Sequence, residues 1–576
     1  MSPMPTHTAS GDEGVGPAAP GTAGSPGDGP RSHRSVMIIL IALMLGMTLA
    51  ALDQTIVATA LPTIAADLGG LNHLSWVVTS YLLTSTIATP LWGKLGDMYG
   101  RKRLFQVSIV IFLVGSALSG LSQTMGELIA FRALQGIGAG GLMVGAQSII
   151  GDVVSPRERG RYMGYFGAVF GVTSVIGPLL GGYFTTSLSW RWVFYINIPV
   201  GIVALVVIAT TLHLPRRRTE HRVDYWGVTL LSAGVAALIL LSTWGGTTYP
   251  WRSSVIIGLG VAGVLLLVVF VAVERRAAEP LLPLELFRNG VFNLTSLLGF
   301  IVGFAMFGAI VYLPLYFQTV DGVTPTVSGL EILPLMLGFL GMSILSGQII
   351  SRTGRYKIFP ILGTGIMTVG LYLLSTMTAR TSFRLAAVDM LIVGIGLGLV
   401  MQVLVIAVQN AVPYRQLGTA TSLATFFRSI GGSFGVAILG AVFANRLAIE
   451  ERRYLPPQAL KALAGGNVTA NPTELKALPA PVHHGFVLAF SHSLHTVFLV
   501  AVPVVAVAFV LSLFLREVPL RETAHLGGPE GSLVPDTPEG TGPAGSGTHA
   551  TRDDTAQPGV PDPAPGDVDP APDPVR

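Results

Sequence analysis

The sequence predicts an all-α membrane protein of two six-helix bundles plus two extra central transmembrane helices, fourteen spans in all, and three observations lead there. Hydrophobic residues make up 51% of the 576 positions and charged residues only 11%, a balance that a water-facing surface hardly tolerates. Apolar runs recur from Val36 to Leu515 between short polar connections, each near the roughly 20 residues that a helix needs to cross the hydrocarbon core. The chain also repeats itself. A shift of 258 residues carries Gly136, Gly138 and Gly140 onto Gly394, Gly396 and Gly398, and Arg157, Gly160 and Gly177 onto Arg415, Gly418 and Gly435. A weaker echo pairs Gly93, Gly100 and Arg101 with Gly347, Gly354 and Arg355. Repetition on this scale implies two halves of similar path.

The apolar runs place spans near residues 36–60, 75–95, 104–122, 126–150, 162–184, 192–212, 226–243 and 254–273, then 292–317, 328–350, 358–377, 385–409, 418–444 and 488–515. On this reading 1–35 is a disordered N-terminal segment, 36–213 the first bundle, and 214–289 the two extra spans with their linkers. Residues 290–516 form the second bundle with an outer connection at 445–484, and 517–576 a disordered tail. The tail is rich in Gly, Pro, Asp and Thr and cannot bury enough surface to fold. The polar residues ahead of Val36 make the first run a retained span, not a cleaved leader. Basic residues crowd one set of connections, with clusters at Arg101 to Arg103, Arg157 to Arg161 and Arg216 to Arg218; the positive-inside bias then puts both termini in the cytoplasm of a multi-pass cell-membrane protein.

Cysteine is absent, which excludes disulfides, thiolate metal sites and a cysteine nucleophile. The formal charge of +4 is spread over many loops, without the single basic patch of a nucleic-acid binder. No phosphate-cradling glycine loop, nucleotide-binding domain or converging set of catalytic groups is present, so the chain reads as a transporter and not an enzyme. His492 and His495 are two ligands near water, too few to imply a metal, and no cofactor is expected. Its partners are then the bilayer, a small molecule and protons, with the chain expected to act as a monomer.

Ionisable groups inside spans are costly to bury and are functional candidates by default. Here they are Asp53, Arg132, Glu331, Asp389 and Arg428. Asp53 in the first span and Arg132 in the fourth should sit at similar depth. A carboxylate in a low-dielectric interior favours its protonated form and an approaching cation reverses this, so such a group can take up and release a proton as its surroundings alternate. The other reading of this pair is a permanent ion pair between two helices. Glu331 is the better second proton candidate, although it and Asp389 both suit a solvated helix start as well. Arg428 lies too deep to reach water easily, and substrate contact and a structural hub to backbone carbonyls fit it equally.

The stretch from Gly93 to Arg103 links the second and third spans. Gly93 and Gly100 permit a tight connection, and Asp97, near helix ends, can pair with basic residues or a helix N-terminus and so latch the inner gate. The fifth span holds Gly171, Gly177, Pro178, Gly181 and Gly182, a pattern that allows close helix approach and a bend.

In this order the motifs resemble the major facilitator superfamily, specifically its fourteen-spanner drug:proton antiporters of the EmrB/QacA type, over roughly residues 36–516. Leu52-Asp53-Gln54-Thr55-Ile56-Val57 through Pro62 resembles that family's first-span motif, with Ala58 where Asn is usual. Gly93 to Arg103 matches the inner-loop motif, Arg132-Ala133-Leu134-Gln135-Gly136 resembles the fourth-span motif associated with proton transfer, and Gly171 to Gly182 is similar to the antiporter motif. Trp190-Arg191-Trp192-Val193-Phe194 with Asn197 and Pro199 looks like the sixth-span signature. The resemblance implies a major facilitator fold and proton-coupled export of lipophilic, often cationic, drugs, dyes or antibiotics, with transport of one defined metabolite or self-made product as the alternative. A substrate cavity between the halves is expected to draw on Trp76, Tyr81, Phe304, Phe307 and Tyr312, since aromatic faces bind flat apolar molecules and cations; each would equally serve in helix packing or the interfacial belt.

Overall fold

Helix starts are written into the sequence. Thr124, Ser155, Asp224, Ser253 and Asn289 each cap a helix by accepting a backbone N–H two or three residues on, which satisfies amides that the first turn leaves free. In the computed structural model, which describes residues 33–68, 74–212, 224–246, 248–277, 280–464 and 479–520, the principal helices are α1 (His33–Leu68), α2 (Leu74–Tyr99), α3 (Arg101–Leu121), α4 (Met125–Val153) and α5 (Pro156–Ser187). They continue with α6 (Trp192–Thr211), α7 (Tyr225–Trp244), α8 (Ser254–Glu274), α9 (Gly290–Tyr316), α10 (Val327–Thr353, broken at Ile332), α11 (Ile358–Ser375), α12 (Phe383–Ala411), α13 (Leu417–Tyr454) and α14 (Ala480–Leu513). Thirteen of the described helices are long and apolar enough to cross a bilayer. Helix α2 has the length of a fourteenth, and its Thr and Ser residues keep it out of that count. The expected disordered ends lie outside the described residues, apart from 33–35 and 517–520.

The internal repeat is a packing code. A Cβ on Gly136 or Gly140 of α4 would come within 2.4 or 2.5 Å of carbonyl oxygens of α2, and one on Gly138 within 2.5 Å of the α3 backbone. In the second half Gly394 and Gly398 of α12 meet carbonyls of α10 at 2.0 and 2.4 Å, and Gly396 meets that of Gly363 in α11 at 2.6 Å. The same three glycines thus seat the same three helices in each bundle, where backbones approach only because side chains are absent. Gly100 and Gly354, paired by the repeat, end α2 and α10 at φ 96° and 70°, a conformation glycine adopts without strain.

The extra pair, α7 and α8, pack on each other, with α7 set against α2 and α13 at the seam between halves. Helix α8 is the outer member, exposing Val261, Val264, Leu265 and Val268. Two segments differ from the sequence reading. Helix α13 runs on to Tyr454 and α14 starts at Ala480 with a short helix Pro457–Ala464 between them, so most of 445–484 is helical and 465–478 lies outside the described residues. Polar helix ends held by pairs such as Arg446 with Glu450 (3.8 Å) extend past the apolar run because i, i+4 charges sustain a helix in water. Residues Arg516–Leu520, at the start of the expected disordered tail, are strapped down: Glu517 accepts from the Tyr356 N–H (2.9 Å), and Asn410 donates to the Val518 carbonyl (3.0 Å).

Candidate functional site

Asp53 of α1 is fully buried within the first bundle, against α4 and α6. Arg132 Nη1 donates to Oδ2 at 2.5 Å, and Oδ1 accepts from Gln135 Nε2 (2.8 Å) and Asn197 Nδ2 (3.2 Å). Arg132 and Gln135 stand three residues apart on one face of α4 and bond each other at 2.7 Å. The guanidinium also donates to the Val77 carbonyl and lies 4.1 Å from the centre of the Tyr81 ring, a cation-π contact that shares its charge. Asn197 in turn donates to Ser116 at 3.0 Å. The carboxylate is therefore compensated by one cation and two amides and turns away from the lipid side of α1. Gln135 and Asn197, present in the motifs but not singled out as site residues, complete its shell.

Helix α5 approaches the same stretch of α1. Thr55 and Thr59 face Gly177 and Gly181, and Thr55 donates to the Thr173 carbonyl at 3.1 Å. A Cβ on Gly177 would lie 2.1 Å from Thr55 Oγ1, whereas one on Gly171 meets nothing closer than 3.9 Å. Gly177→Ala is expected to lower both thermal stability and transport, by roughly the 1–3 kcal/mol of an overpacked interior, and Gly171→Ala to leave both near wild type. Equal effects in unfolding and transport assays would show that close approach at Gly177 does not matter. Pro178 faces Gly329 of the second half, and the Gly182 carbonyl accepts from Thr186.

A second cluster joins the halves. Asp97, near the end of α2, accepts from the N–H groups of Gly418 (3.0 Å) and Thr419 (2.7 Å) and from Thr419 Oγ1 (2.9 Å). It thus caps α13 of the other bundle, where a negative charge complements the helix dipole. Arg101 Nη2 holds Asp97 at 2.6 Å, pairs with Asp152, and lies over the Tyr414 ring. Gly93 admits this contact, since a Cβ there would strike Ser422 and the Gly418 carbonyl. The repeat supplies the counterpart: Gly347 meets the Gly160 carbonyl, and Arg157 donates to the carbonyls of Ser351 (3.2 Å) and Arg352 (3.1 Å). Where the first half has Asp97 the second has Ser351, so the charged cap is one-sided. On the same side Gln409 donates to the Gln147 carbonyl (3.1 Å). Asp152 escaped notice because it stands two residues beyond the expected end of the fourth span.

The Major Facilitator Superfamily profile matches residues 43–228 and 226–436. The chain belongs to the Major Facilitator Superfamily. An uncharacterized MFS-type transporter of Mycobacterium tuberculosis is 46% identical over 88% of this chain and 74% of its own length. The multidrug transporter protein MdtP of Bacillus subtilis is 40% identical over 86% and 95%. Among solved structures, the proton:xylose symporter XylE (TM-score 0.55, 15% identity, 84% of this chain and 97% of that one) shares the fold. So does an inward-facing bacterial homolog of the lysosomal transporter Spinster (TM-score 0.54, 17% identity, 84% and 98%). The superfamily consists of transporters, and this member is a multi-pass membrane transporter.

The superfamily fold distributes the remaining candidates. Glu331 ends the first piece of α10 with one buried oxygen unpartnered. Asp389 lies in the second turn of α12, not the first, and is buried. The five aromatic residues expected at one cavity do not converge. Tyr81 belongs to the Asp53 site, and Trp76 stacks edge-on against Trp244 of α7 (5.4 Å). The Phe307 ring fills the place opposite Gly432 of α13, the Phe304 backbone lies against Gly435, and Tyr312 packs on Phe443. A glycine on the facing helix thus takes the Phe307 ring into helix packing. At the opposite face Trp190 donates to Asp67 (2.8 Å) and Arg191 pairs with it; the Trp190 N–H, more than the arginine, holds the Asp67 carboxyl below the usual range. Glu274, one residue past the expected end of the eighth span, is buried against Asp224 and accepts from the Leu282 N–H. A buried acid at a span border carries little sequence signal.

Proposed function

We propose that this chain is a fourteen-spanner drug:proton antiporter that exports small lipophilic compounds by alternating access, with the latch face and both termini in the cytoplasm. The observation that carries the reading is the buried Asp53 carboxylate, compensated by Arg132 and Gln135 from α4 and Asn197 from α6. A carboxylate that loses its guanidinium in a low-dielectric interior takes up a proton sooner than remain charged, and return of the cation expels it. Small relative movements of α1 against α4 and α6 then exchange one state for the other. The cap of α13 by Asp97 holds the cytoplasmic side shut while the carboxylate is paired. The efflux pumps and multidrug proteins among the relatives support the direction of transport. A narrower reading, export of one natural product, draws support from a relative described as the Acurin A biosynthesis cluster MFS-type transporter, 33% identical over 86% of this chain.

Cells expressing the chain are expected to accumulate less of a lipophilic dye than control cells, and a protonophore is expected to abolish the difference. Dye export that continues at full rate with the proton gradient collapsed would rule out antiport, and no export of any lipophilic dye would rule out the broad substrate class.

A further inference from the structure

Arg428 is set apart from the other deep cations of the chain. Arg101, Arg132 and Arg159 are each engaged by carboxylates or carbonyls, whereas Arg428, partly exposed in the middle of α13, has neither hydrogen bond nor ion pair among the described residues, and no carboxylate compensates it. It forms one wall of a small cavity between α9, α12 and α13 whose other walls include Val302, Met401, Leu404 and Val405. Gly299 keeps that cavity open beside the arginine: a Cβ there would lie 3.8 Å from the Ala424 carbonyl and 3.9 Å from Arg428 Cβ, ordinary contact distances. The glycine is thus not demanded by backbone packing, in contrast to Gly303 one turn on, whose Cβ would fall 2.2 Å from the Arg428 carbonyl.

A guanidinium cannot be neutralised by losing its proton, and leaving one unpaired in a low-dielectric interior is costly. Apolar walls around a single uncompensated cation are complementary to a molecule with the reverse pattern. We propose that Arg428 receives the acidic head group of the transported compound, so that the preferred substrates are lipophilic carboxylic acids or comparable weak acids, their apolar bodies lying in the space between the halves. This deepens the export reading and rests on it, since it takes the cavity for part of the substrate path. Arg presents a planar fork that matches a carboxylate with two parallel N–H donors, a geometry that Lys retains only as a point charge.

Two probes with one ring system and opposite charges provide the test: 2-naphthoate and (2-naphthyl)trimethylammonium, titrated into the purified full-length protein with thermal unfolding as the readout, because a ligand stabilises in proportion to its occupancy. Wild type is expected to be stabilised by the naphthoate at concentrations at least tenfold below those needed for the cation. Arg428→Gln should weaken naphthoate binding at least tenfold, Arg428→Lys less, and cation binding should not fall in either. Gly299→Ala, which adds one methyl group to the cavity without a clash, should weaken naphthoate binding while the protein unfolds at the wild-type temperature; it decides the matter if Arg428→Gln does not fold. Naphthoate binding unchanged in Arg428→Gln, or in Gly299→Ala where that variant decides, overturns the proposal, as does a wild type that binds neither probe or prefers the cation. Proton counterflow in vesicles is measured separately, so acid binding without proton movement would fault antiport and leave the role of Arg428 standing.

Discussion

Replacing Asp53 by Asn is expected to abolish concentrative efflux, by a hundredfold or more, while substrate-for-substrate exchange without a gradient survives. The amide keeps the size of the carboxyl and can still accept from Arg132, but it cannot bind and release a proton. The structure sharpens the contrast with a permanent ion pair. Removing one member of a buried pair strands the other at a cost of roughly 3–5 kcal/mol, so a single variant confounds folding with mechanism. Arg132 has partial relief in the Val77 carbonyl and the Tyr81 ring, which favours survival of the fold. The double variant Asp53→Asn with Arg132→Gln leaves no stranded charge. If the pair serves only to hold α1 on α4, the double variant recovers uphill transport in vesicle assays; if Asp53 carries the proton, it regains stability and remains unable to concentrate substrate.

The second large effect is expected at the latch. Asp97→Ala deletes three hydrogen bonds to the start of α13 and one of the two carboxylate partners of Arg101, and bonds to a charged acceptor contribute roughly 1.5–3 kcal/mol each. Even one such loss moves a two-state equilibrium about tenfold or more toward the open latch face. Because the native chain lacks cysteine, a single Ser422→Cys reporter, buried behind Gly93, can be read without background. Its labelling by a membrane-permeant maleimide should be at least tenfold faster with Asp97→Ala, and transport should fall in step. Transport lost at an unchanged labelling rate would mean that Asp97 stabilises the fold without gating it.

Much of this arrangement was legible in the residues. Span positions follow from apolar length, and the glycine repeat followed from the need to bring backbones together, which is why Gly136 and Gly394 fall on equivalent contacts. Asp53 and Arg132 were visible because charge inside an apolar run has few explanations. Which helix N-terminus Asp97 meets was not: the start of α13, 321 residues away from it, offers backbone amides that no side-chain pattern announces. Asp152 and Glu274 were missed for a related reason, since an acid at a span border reads as solvated until the fold buries it. The aromatic residues carry less, because ring size marks a wish for burial, not the surface that provides it. The strap at Glu517 and Val518 was hidden by the polar composition of the tail that follows.

The most direct measurement is proton release on substrate binding. Purified protein in weakly buffered solution is mixed with a compound that it expels, and a pH-sensitive dye follows the medium. Wild type should release protons in proportion to the sites filled, and Asp53→Asn, shown by thermal stabilisation to bind the same compound, should release none. Equal release from both proteins would place the exchanged proton on another group and contradict the role assigned to Asp53.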